Sequence, residues 1–171
     1  MWVDEAGFSL LPMVVRTYAP RGHTPSLSVP LTSDHLAVMG ALTAEGKMVM
    51  HIQDHAYKGP DVVRFLRLLL RKLPGPLLVI WDSSPIHRCN AVKDFLFFGG
   101  AKRLHLECLP AYAPELNPQE GVWNLLKRRE LKNVCMRDLG HLEAELVKAK
   151  ERLRHRTAVL SQCIAHAGLR L

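Results

Sequence analysis

The sequence has no long apolar run and no leader-like start. Its longest apolar segment, Leu77–Trp81, is far shorter than the roughly 20 residues that a membrane-spanning helix needs. The first residues, Met1–Glu5, lack the charged-then-apolar layout of a signal peptide. These absences exclude a membrane protein and lead us to expect a cytoplasmic location.

Internal repeats and low-complexity tracts are absent as well. The chain has 171 residues, of which 48% are hydrophobic and 23% charged, and these proportions are typical of a soluble globular protein. A chain of this length buries roughly 70% of its unfolded surface, so it needs neither a disulfide nor a structural metal to fold. We therefore predict a single domain over residues 1–171.

Cysteine is scarce and shows no metal-binding spacing. Cys89, Cys108, Cys135 and Cys163 form no Cys-x-x-Cys pair, and no neighbouring histidine completes a zinc pattern. We expect buried free thiols in a reducing compartment.

Acidic residues are too few to balance the basic ones. There are 23 lysines and arginines against 16 aspartates and glutamates, which leaves a net charge of +7. Such an excess suggests a polyanionic partner, and nucleic acid is the commonest one. The alternative is a basic protein that does not bind DNA.

Hydrophobic periodicity divides the chain into strands and helices. The predicted strands are Met1–Phe8, Met13–Tyr18, His35–Leu42, Lys47–Ile52, Leu77–Trp81 (buried on both faces) and Arg103–Cys108. The first predicted helix follows Gly59-Pro60. The other predicted helices cover Ile86–Phe98, Pro118 to about Lys132, and a tail over residues 138–171 with Asp138 as its N-cap. Short connections favour antiparallel pairing of the first strands, and the later strands alternate with helices as in parallel crossovers. The sequence thus predicts an α/β fold with a mixed sheet and flanking helices.

Two aspartates occupy strand positions where carboxylates are unusual. Asp4 lies among apolar residues of the first strand, and its neighbour Glu5 points to the opposite face. An edge-strand or surface acid is the alternative interpretation of Asp4. Asp82 directly follows Leu77–Trp81, at the strand end where α/β sheets bind ligands. A turn or helix N-cap is the alternative interpretation of Asp82.

A third carboxylate stands at the start of a helix. Asn117 resembles an N-cap, Pro118 the first helical residue and Glu120 the third, so Asn-x-x-Glu also fits a capping box, in which the glutamate accepts from the cap amide. The proline-rich loop Leu109–Pro118 defines the start of this helix more strictly than a cap requires. This favours a carboxylate placed for chemistry, with capping as the alternative.

Three carboxylates from separate elements can form an oxygen-rich site. Such a site prefers Mg²⁺ or Mn²⁺ over zinc. Two such ions about 3.5–4 Å apart can activate a water or hydroxyl and stabilise the leaving oxygen of a phosphodiester. The basic surface would bind the phosphates. The residues permit this chemistry without requiring it.

Four segments together resemble a known family. Val3–Leu10 resembles the first catalytic strand of DDE transposases from mariner-related bacterial insertion sequences, the insertion sequence 630 type. Arg16–Pro25 is similar to that family's R-T-W-A-P-R-G-x-T-P segment, and Val79–His87 to its D-N-A-x-x-H block. Leu109–Trp123 is close to its L-P-P-Y-S-P-E-L-N-P-I-E-x-V-W signature, the most specific of the four. The segments occur in the family's order and cover nearly the whole chain.

The resemblance implies a ribonuclease-H-like fold and a catalytic triad of Asp4, Asp82 and Glu120 that binds two Mg²⁺ or Mn²⁺ ions. It implies DNA strand cleavage and strand transfer, with transposon ends and target DNA as partners, in the bacterial cytoplasm. A second copy of the chain is a further expected partner, and a membrane is not. Two details depart from the family: Ser83 replaces the common asparagine, and the stretch from Asp82 to Glu120 is slightly longer than usual.

Other residues receive supporting roles. His87 matches the family histidine and is expected to orient Asp82 or a metal-bound phosphate, with a polar helix start as the alternative. Trp123 is expected in the core. The residues predicted to contact DNA phosphates, with a solvated helix face as the alternative, are Lys127, Arg128, Arg129 and Lys132. A second basic cluster with weaker positional support comprises Arg152, Arg154 and Arg156.

Asp4 stands almost at the start of the sequence, so we expect the family's N-terminal helix-turn-helix region, which recognises the element ends, to be absent. We expect a separately encoded catalytic half, a truncated remnant or an excised piece, and in the first case an upstream helix-turn-helix polypeptide as partner. Two alternatives to a transposase stay open: an inactive remnant that only folds or binds DNA, and a ribonuclease-H-like nuclease used outside transposition. The complete set of three carboxylates disfavours the first, and strand-transfer products would exclude the second.

Overall fold

The central sheet is ordered differently in space than along the chain. A computed structural model describes residues 1–29, 32–111 and 113–169. In this part the strands are β1 (Trp2–Ser9), β2 (His35–Leu42), β3 (Met48–Gln53), β4 (Leu77–Trp81) and β5 (Leu104–Cys108), and the spatial order is β3-β2-β1-β4-β5. β1, β2 and β3 pair antiparallel, whereas β4 joins β1 and β5 joins β4 in parallel. The predicted mixed sheet of hairpin strands and parallel crossovers is confirmed.

Helices cover both faces of the sheet. They are α1 (Gly59–Lys72), α2 (Asn90–Phe97), α3 (Pro118–Leu125), α4 (Leu139–Arg154) and α5 (Thr157–His166). One core includes Val3 and the buried faces of α1 and α2, and the other includes Trp2, Phe8 and residues of α3, α4 and α5. Because strand side chains alternate, Asp4 lies on the α3 side of the sheet and Glu5 on the α1 side.

The first helix follows directly from its sequence. Val62, Leu66 and Leu69 are completely buried and recur at helical spacing. The Asp61 carboxylate accepts a hydrogen bond from the Lys58 amide at 3.0 Å and so satisfies a free donor at the helix start. Among the helices described, none is long and apolar enough to cross a membrane.

The predicted strand Met13–Tyr18 is wrong, because residues 12–20 have no regular structure. A strand needs a neighbouring strand along its length, and here a single asparagine takes that place. The Asn133 amide group donates to the Val15 carbonyl at 3.0 Å and accepts from the Val15 amide at 2.8 Å. The Asn133 backbone amide also donates to the Met13 carbonyl at 3.1 Å. One asparagine thus bonds two residues of the segment, and the segment stays outside the sheet.

The predicted helices are interrupted where the backbone changes conformation. Ile86–Phe98 is divided into a 3₁₀ turn over Pro85–Arg88 and α2, because Cys89 between them is extended. The helix from Pro118 continues beyond Leu125 as a π-helical turn over Leu126–Glu130.

The C-terminal tail forms two helices rather than one. α4 ends at Arg154 and α5 begins at Thr157. Asp138 is the N-cap of α4, as predicted, and accepts from the His141 amide at 2.7 Å. The last two residues of the predicted tail, 170 and 171, lie outside the described part of the chain.

Burial of β4 and of the cysteines differs from the prediction. Val79 and Trp81 are buried, whereas Leu78 on the opposite face is 46% exposed. On that face α3 and α4 pack mainly against β1, β2 and β3, so the parallel half of the sheet is less covered. All four cysteines are free; Cys163 is buried, and Cys108 on the edge strand β5 is exposed.

Candidate active site

Asp4 is a buried carboxylate in the middle of β1. It pairs with Gly40 of β2 and is 9% exposed, so its interpretation as a surface acid is wrong. Its Oδ2 accepts a hydrogen bond from the Trp123 indole nitrogen at 2.8 Å. The pKa of Asp4 is raised to about 7, first by burial and then by the charges of Glu5 and Glu120, while the indole hydrogen bond lowers it.

Trp123 reaches Asp4 because residue 40 has no side chain. A Cβ added to Gly40 would overlap the Gln119 amide and lie 2.6 Å from the Trp123 ring. Trp123 is therefore a core residue, as predicted, and also a donor to Asp4, which the sequence analysis missed. Its position one helical turn after Glu120 could have indicated that both side chains face the same region.

Asp82 directly follows β4, and its carboxylate both takes part in a turn and faces solvent. Its Oδ1 accepts from the Ser84 amide at 2.9 Å and lies 2.9 Å from Nδ1 of His87. The turn interpretation is thus correct for Oδ1. The side chain as a whole is 53% exposed, so the carboxylate also faces solvent in front of the sheet.

Glu120 is exposed in the first turn of α3 and takes no part in a capping box. The amide of the cap residue Asn117 donates to the Pro114 carbonyl at 3.0 Å. The Asn117 side chain accepts from the Gln119 amide at 3.1 Å. The helix start is satisfied without the Glu120 carboxylate, so the capping alternative is wrong.

Asp4, Asp82 and Glu120 line one cleft of about 390 Å³. The other described residues that line it are Ser83, Ser84, Leu109, Pro110, Ala111, Ala113, Pro114 and Asn117. The proline-rich loop thus forms one wall and delivers α3 with Glu120 to the end of β4. No lysine or arginine occurs among these residues, so the cleft concentrates negative charge.

His87 joins Asp82 to a second acid. Its ring is completely buried, with Nδ1 2.9 Å from Asp82 Oδ1 and Nε2 2.7 Å from Glu5 Oε1. Burial lowers the pKa of His87, but its hydrogen bonds and charge interactions with Glu5 and Asp82 outweigh burial and raise it. The ring stacks on Trp81 with centroids 4.2 Å apart. This placement suits the predicted orientation of Asp82, while contact with a phosphate stays a prediction.

The basic residues after α3 fall into two groups. The Lys127 ammonium lies over the Phe8 ring, 5.0 Å from its centroid. Arg128, Arg129 and Lys132 are exposed, and no acidic partner within 4 Å is found for them in the described part of the chain. These three are available to phosphates, and their contact with DNA stays a prediction.

The second basic cluster is exposed but forms ion pairs with acidic residues of the same chain. Arg152 and Arg156 bind the Glu130 carboxylate at 2.6 Å and 3.3 Å, and Arg154 binds Glu151 at 2.9 Å. Glu130 ends the π-helical turn, so these pairs fasten that turn to the end of α4. A role in DNA binding is disfavoured for this cluster.

The donor set fits a hard divalent cation in chemistry. Asp4 uses Oδ2 and Asp82 uses Oδ1 in hydrogen bonds to protein donors, which leaves one oxygen of each for a ligand. Carboxylate oxygens are what Mg²⁺ and Mn²⁺ prefer. As the described side chains stand, no three His, Cys, Asp or Glu groups are close enough together to hold an ion. Glu120, being exposed, is the carboxylate free to adjust.

Sequence comparison identifies a family over most of the chain. A family model described as DDE superfamily endonuclease matches residues 1–143, a range that contains Asp4, Asp82 and Glu120. No curated protein matches the sequence.

The fold is similar to that of the Mos1 mariner transposase. The paired-end complex with Mg matches with a TM-score of 0.65 and 18% identity, over 99% of this chain and 56% of that chain. The Mos1 strand transfer complex matches with 0.63 and 15%, over 99% and 55%. The Mos1 catalytic domain matches with 0.59 and 13%, over 99% and 82%.

The chain therefore spans little more than half of the Mos1 chain in those complexes. At these identities the likeness concerns the fold, and it confirms the predicted ribonuclease-H-like class. Together with the family match over residues 1–143, it leads to one assignment: the chain belongs to the DDE superfamily endonucleases.

Proposed function

We propose that the chain is the catalytic domain of a transposase, which cleaves DNA strands and transfers them to target DNA with Mg²⁺ or Mn²⁺. The observation that carries this proposal is the single cleft lined by Asp4, Asp82 and Glu120 in a DDE endonuclease. Similar structures include a strand transfer complex and paired-end complexes with Mn and Mg, which support DNA and a divalent metal as partners.

The three carboxylates of the cleft share one task in this proposal. Asp4, Asp82 and Glu120 would hold the metal ions, which when bound would activate a water or 3′-hydroxyl and stabilise the leaving oxygen. The donors behind the two aspartates determine which carboxylate oxygen remains for the cleft. Because the cleft lining contains no lysine or arginine in the described part, flanking phosphates are bound outside it, by the exposed residues after α3.

Metal-dependent cleavage is the direct test. Supercoiled plasmid is incubated with the chain, alone and with the polypeptide encoded immediately upstream, in Mg²⁺, Mn²⁺ or EDTA. We expect nicking that requires a divalent cation and disappears in Asp82→Asn. Nicking that persists in Asp82→Asn would contradict the assignment of Asp82.

A donor duplex with defined element ends separates the proposal from its alternatives. Joining of a donor 3′-end to target plasmid identifies a transposase. Cleavage without joining identifies a nuclease used outside transposition. No cleavage in either preparation identifies an inactive remnant that only folds or binds DNA.

The partners follow from the same proposal. Transposon ends and target DNA are the substrates, in the bacterial cytoplasm. A helix-turn-helix polypeptide recognises the ends, and a second copy of the chain serves the second end. The paired-end complexes of Mos1 support DNA ends as partners, and sedimentation of the chain with end DNA tests the second copy.

A further inference from the structure

β1 presents two adjacent acids to opposite faces, and the proposed function uses only Asp4. Glu5 does not line the cleft, and its side chain is 19% exposed on the α1 side of the sheet. Its Oε1 nevertheless lies 2.7 Å from Nε2 of His87, whose Nδ1 lies 2.9 Å from Asp82. One imidazole thus connects a carboxylate outside the cleft to a carboxylate inside it.

The orientation of this imidazole is determined by three contacts. Trp81 lies parallel to the ring, with an interplanar angle of 2°, and so sets the plane of the ring. Glu5 at Nε2 sets the rotation of the ring within that plane. Nδ1 is then aimed at Asp82, at both its carboxylate and its backbone carbonyl, the latter 3.1 Å away.

The contact at Asp82 decides which oxygen faces the cleft. Oδ1 accepts from the Ser84 amide and lies 2.9 Å from Nδ1 of His87, whose hydrogen bond goes to the Asp82 carbonyl. Without the ring, the amide alone would restrain a side chain that is 53% exposed. Rotation of the carboxylate would then exchange its two oxygens.

We propose that Glu5 is a positioning residue, which holds the His87 ring so that Asp82 keeps Oδ1 bound and presents its other oxygen to the metal. The inference rests on the proposed function, because it treats Asp82 as a metal ligand. Hydrogen-bonded groups behind a ligand orient it, and their loss typically weakens metal affinity about 10–100-fold. Glu5 acts through His87 and touches neither metal nor DNA.

Three substitutions of Glu5 separate position from charge. Glu5→Ala removes both the acceptor and the charge. Glu5→Gln keeps an oxygen acceptor at the same reach without the charge, and Glu5→Asp keeps the charge but withdraws it from the ring. The matched control is Glu107→Ala, because Glu107 also binds a histidine, His105 at 2.8 Å, on the exposed edge strand.

Binding of Mn²⁺ to the DNA-free chain is measured by titration calorimetry, with thermal unfolding in EDTA alongside. We expect Glu5→Ala and Glu5→Asp to raise the Mn²⁺ Kd by about tenfold or more. Glu5→Gln should raise it by less than about threefold, and Glu107→Ala should not change it. A positioning role thus predicts that Glu5→Gln largely keeps the Mn²⁺ affinity that Glu5→Ala loses.

Each other outcome overturns the inference. If Glu5→Gln weakens binding as much as Glu5→Ala while Glu5→Asp does not, Glu5 contributes charge only. If the variants unfold at lower temperature with unchanged Kd, Glu5 is purely structural. If Glu5→Ala does not fold, Glu5→Asp decides by the same criterion. A wild-type chain that binds no Mn²⁺ contradicts the proposed function itself, which distinguishes that failure from the others.

Discussion

The two sides of the cleft hold their carboxylates in different ways. On the sheet side, Asp4 accepts a hydrogen bond from the Trp123 indole nitrogen, and Asp82 accepts one from the Ser84 amide and lies 2.9 Å from the His87 ring nitrogen. On the helix side, Glu120 is exposed, and its helix is capped without it. The sheet side is therefore arranged in advance, whereas the helix side can adjust when a cation binds.

This difference arises from the elements that carry the carboxylates. β1 is the central strand, with neighbours on both edges and helices on both faces, so a polar group there must be given a partner. The first turn of a helix at the surface imposes no such demand. Burial thus accounts for the fixed position of Asp4, whereas Asp82, which is 53% exposed, is restrained by the Ser84 amide and the nearby His87 ring.

The largest expected effect tests how strongly the sheet side confines Asp4. Its pKa of about 7 in the folded chain is above the ordinary 3.8, so the unfolded chain ionises first and stability falls as pH rises through about 7. In EDTA, the free energy of unfolding of the wild type should fall by about 3 kcal/mol more than that of Asp4→Asn between pH 5 and 8. Urea unfolding measures this, with Asp94→Asn on α2 as control. Parallel pH profiles would show that Asp4 is not confined.

The next effect concerns the helix side. A metal ligand needs its charge, so Glu120→Gln should reduce metal-dependent cleavage at least about a hundredfold, or ~2.7 kcal/mol. Because Glu120 has no capping role, the unfolding temperature of Glu120→Gln should stay within about 4 °C of that of the wild type, which corresponds to roughly 1 kcal/mol. Glu115→Gln, in the loop before α3, is the control for cleavage. If Glu115→Gln loses cleavage instead, Glu115 is the third acid.

A smaller effect isolates the indole hydrogen bond. Trp123→Phe keeps an aromatic ring but removes the donor to Asp4, and a hydrogen bond to a charged group contributes about 1.5–3 kcal/mol. Trp2→Phe is the matched control, because Trp2 is buried in the same core. At pH 8, Trp123→Phe should destabilise the chain by about 2 kcal/mol more than Trp2→Phe. Equal losses would mean that the indole contributes only volume.

The smallest effect compares Lys132, an exposed basic residue after α3, with Arg152, which is ion-paired to Glu130. Each phosphate contact adds about 0.9 to the slope of log affinity against log salt. Lys132→Gln should therefore lower that slope by about one for nonspecific duplex DNA. Arg152→Gln should leave the slope unchanged, because Arg152 is bound to Glu130. Fluorescence anisotropy over a salt series measures both; equal changes would contradict the distinction.

Hydrophobic periodicity was sufficient for most of the fold. The predicted bounds of β2 and β4 agree with the structure, and those of β1, β3 and β5 differ by one residue. These strands pair along their length, so their pattern is complete in the sequence. Met13–Tyr18 has a similar composition, but the hydrogen bonds found for it in the described part of the chain go to Asn133, and composition does not tell whether a neighbouring strand exists.

For the site, the motifs indicated the carboxylates but not the groups that hold them. Asp4 and Trp123 are 119 positions apart, and Glu5 and His87 are 82 apart. Which ring nitrogen meets which oxygen depends on rotamers and on how α3 packs against the sheet. The capping alternative for Glu120 was settled in the same way, since the Asn117 amide finds its acceptor in Pro114.

The pairing of β1 with β2 also determines how the intervening chain can vary. Ser9 pairs with His35, and the Leu10 amide donates to the Asp34 carbonyl. The register of the two strands is therefore set by their own hydrogen bonds. This register does not depend on how many residues lie between Leu10 and Asp34. Doubling such a loop costs only about 0.6 kcal/mol of closure entropy. A change of length in this connection therefore leaves the pairing of β1 with β2, and with it the position of Asp4 opposite Gly40, unchanged.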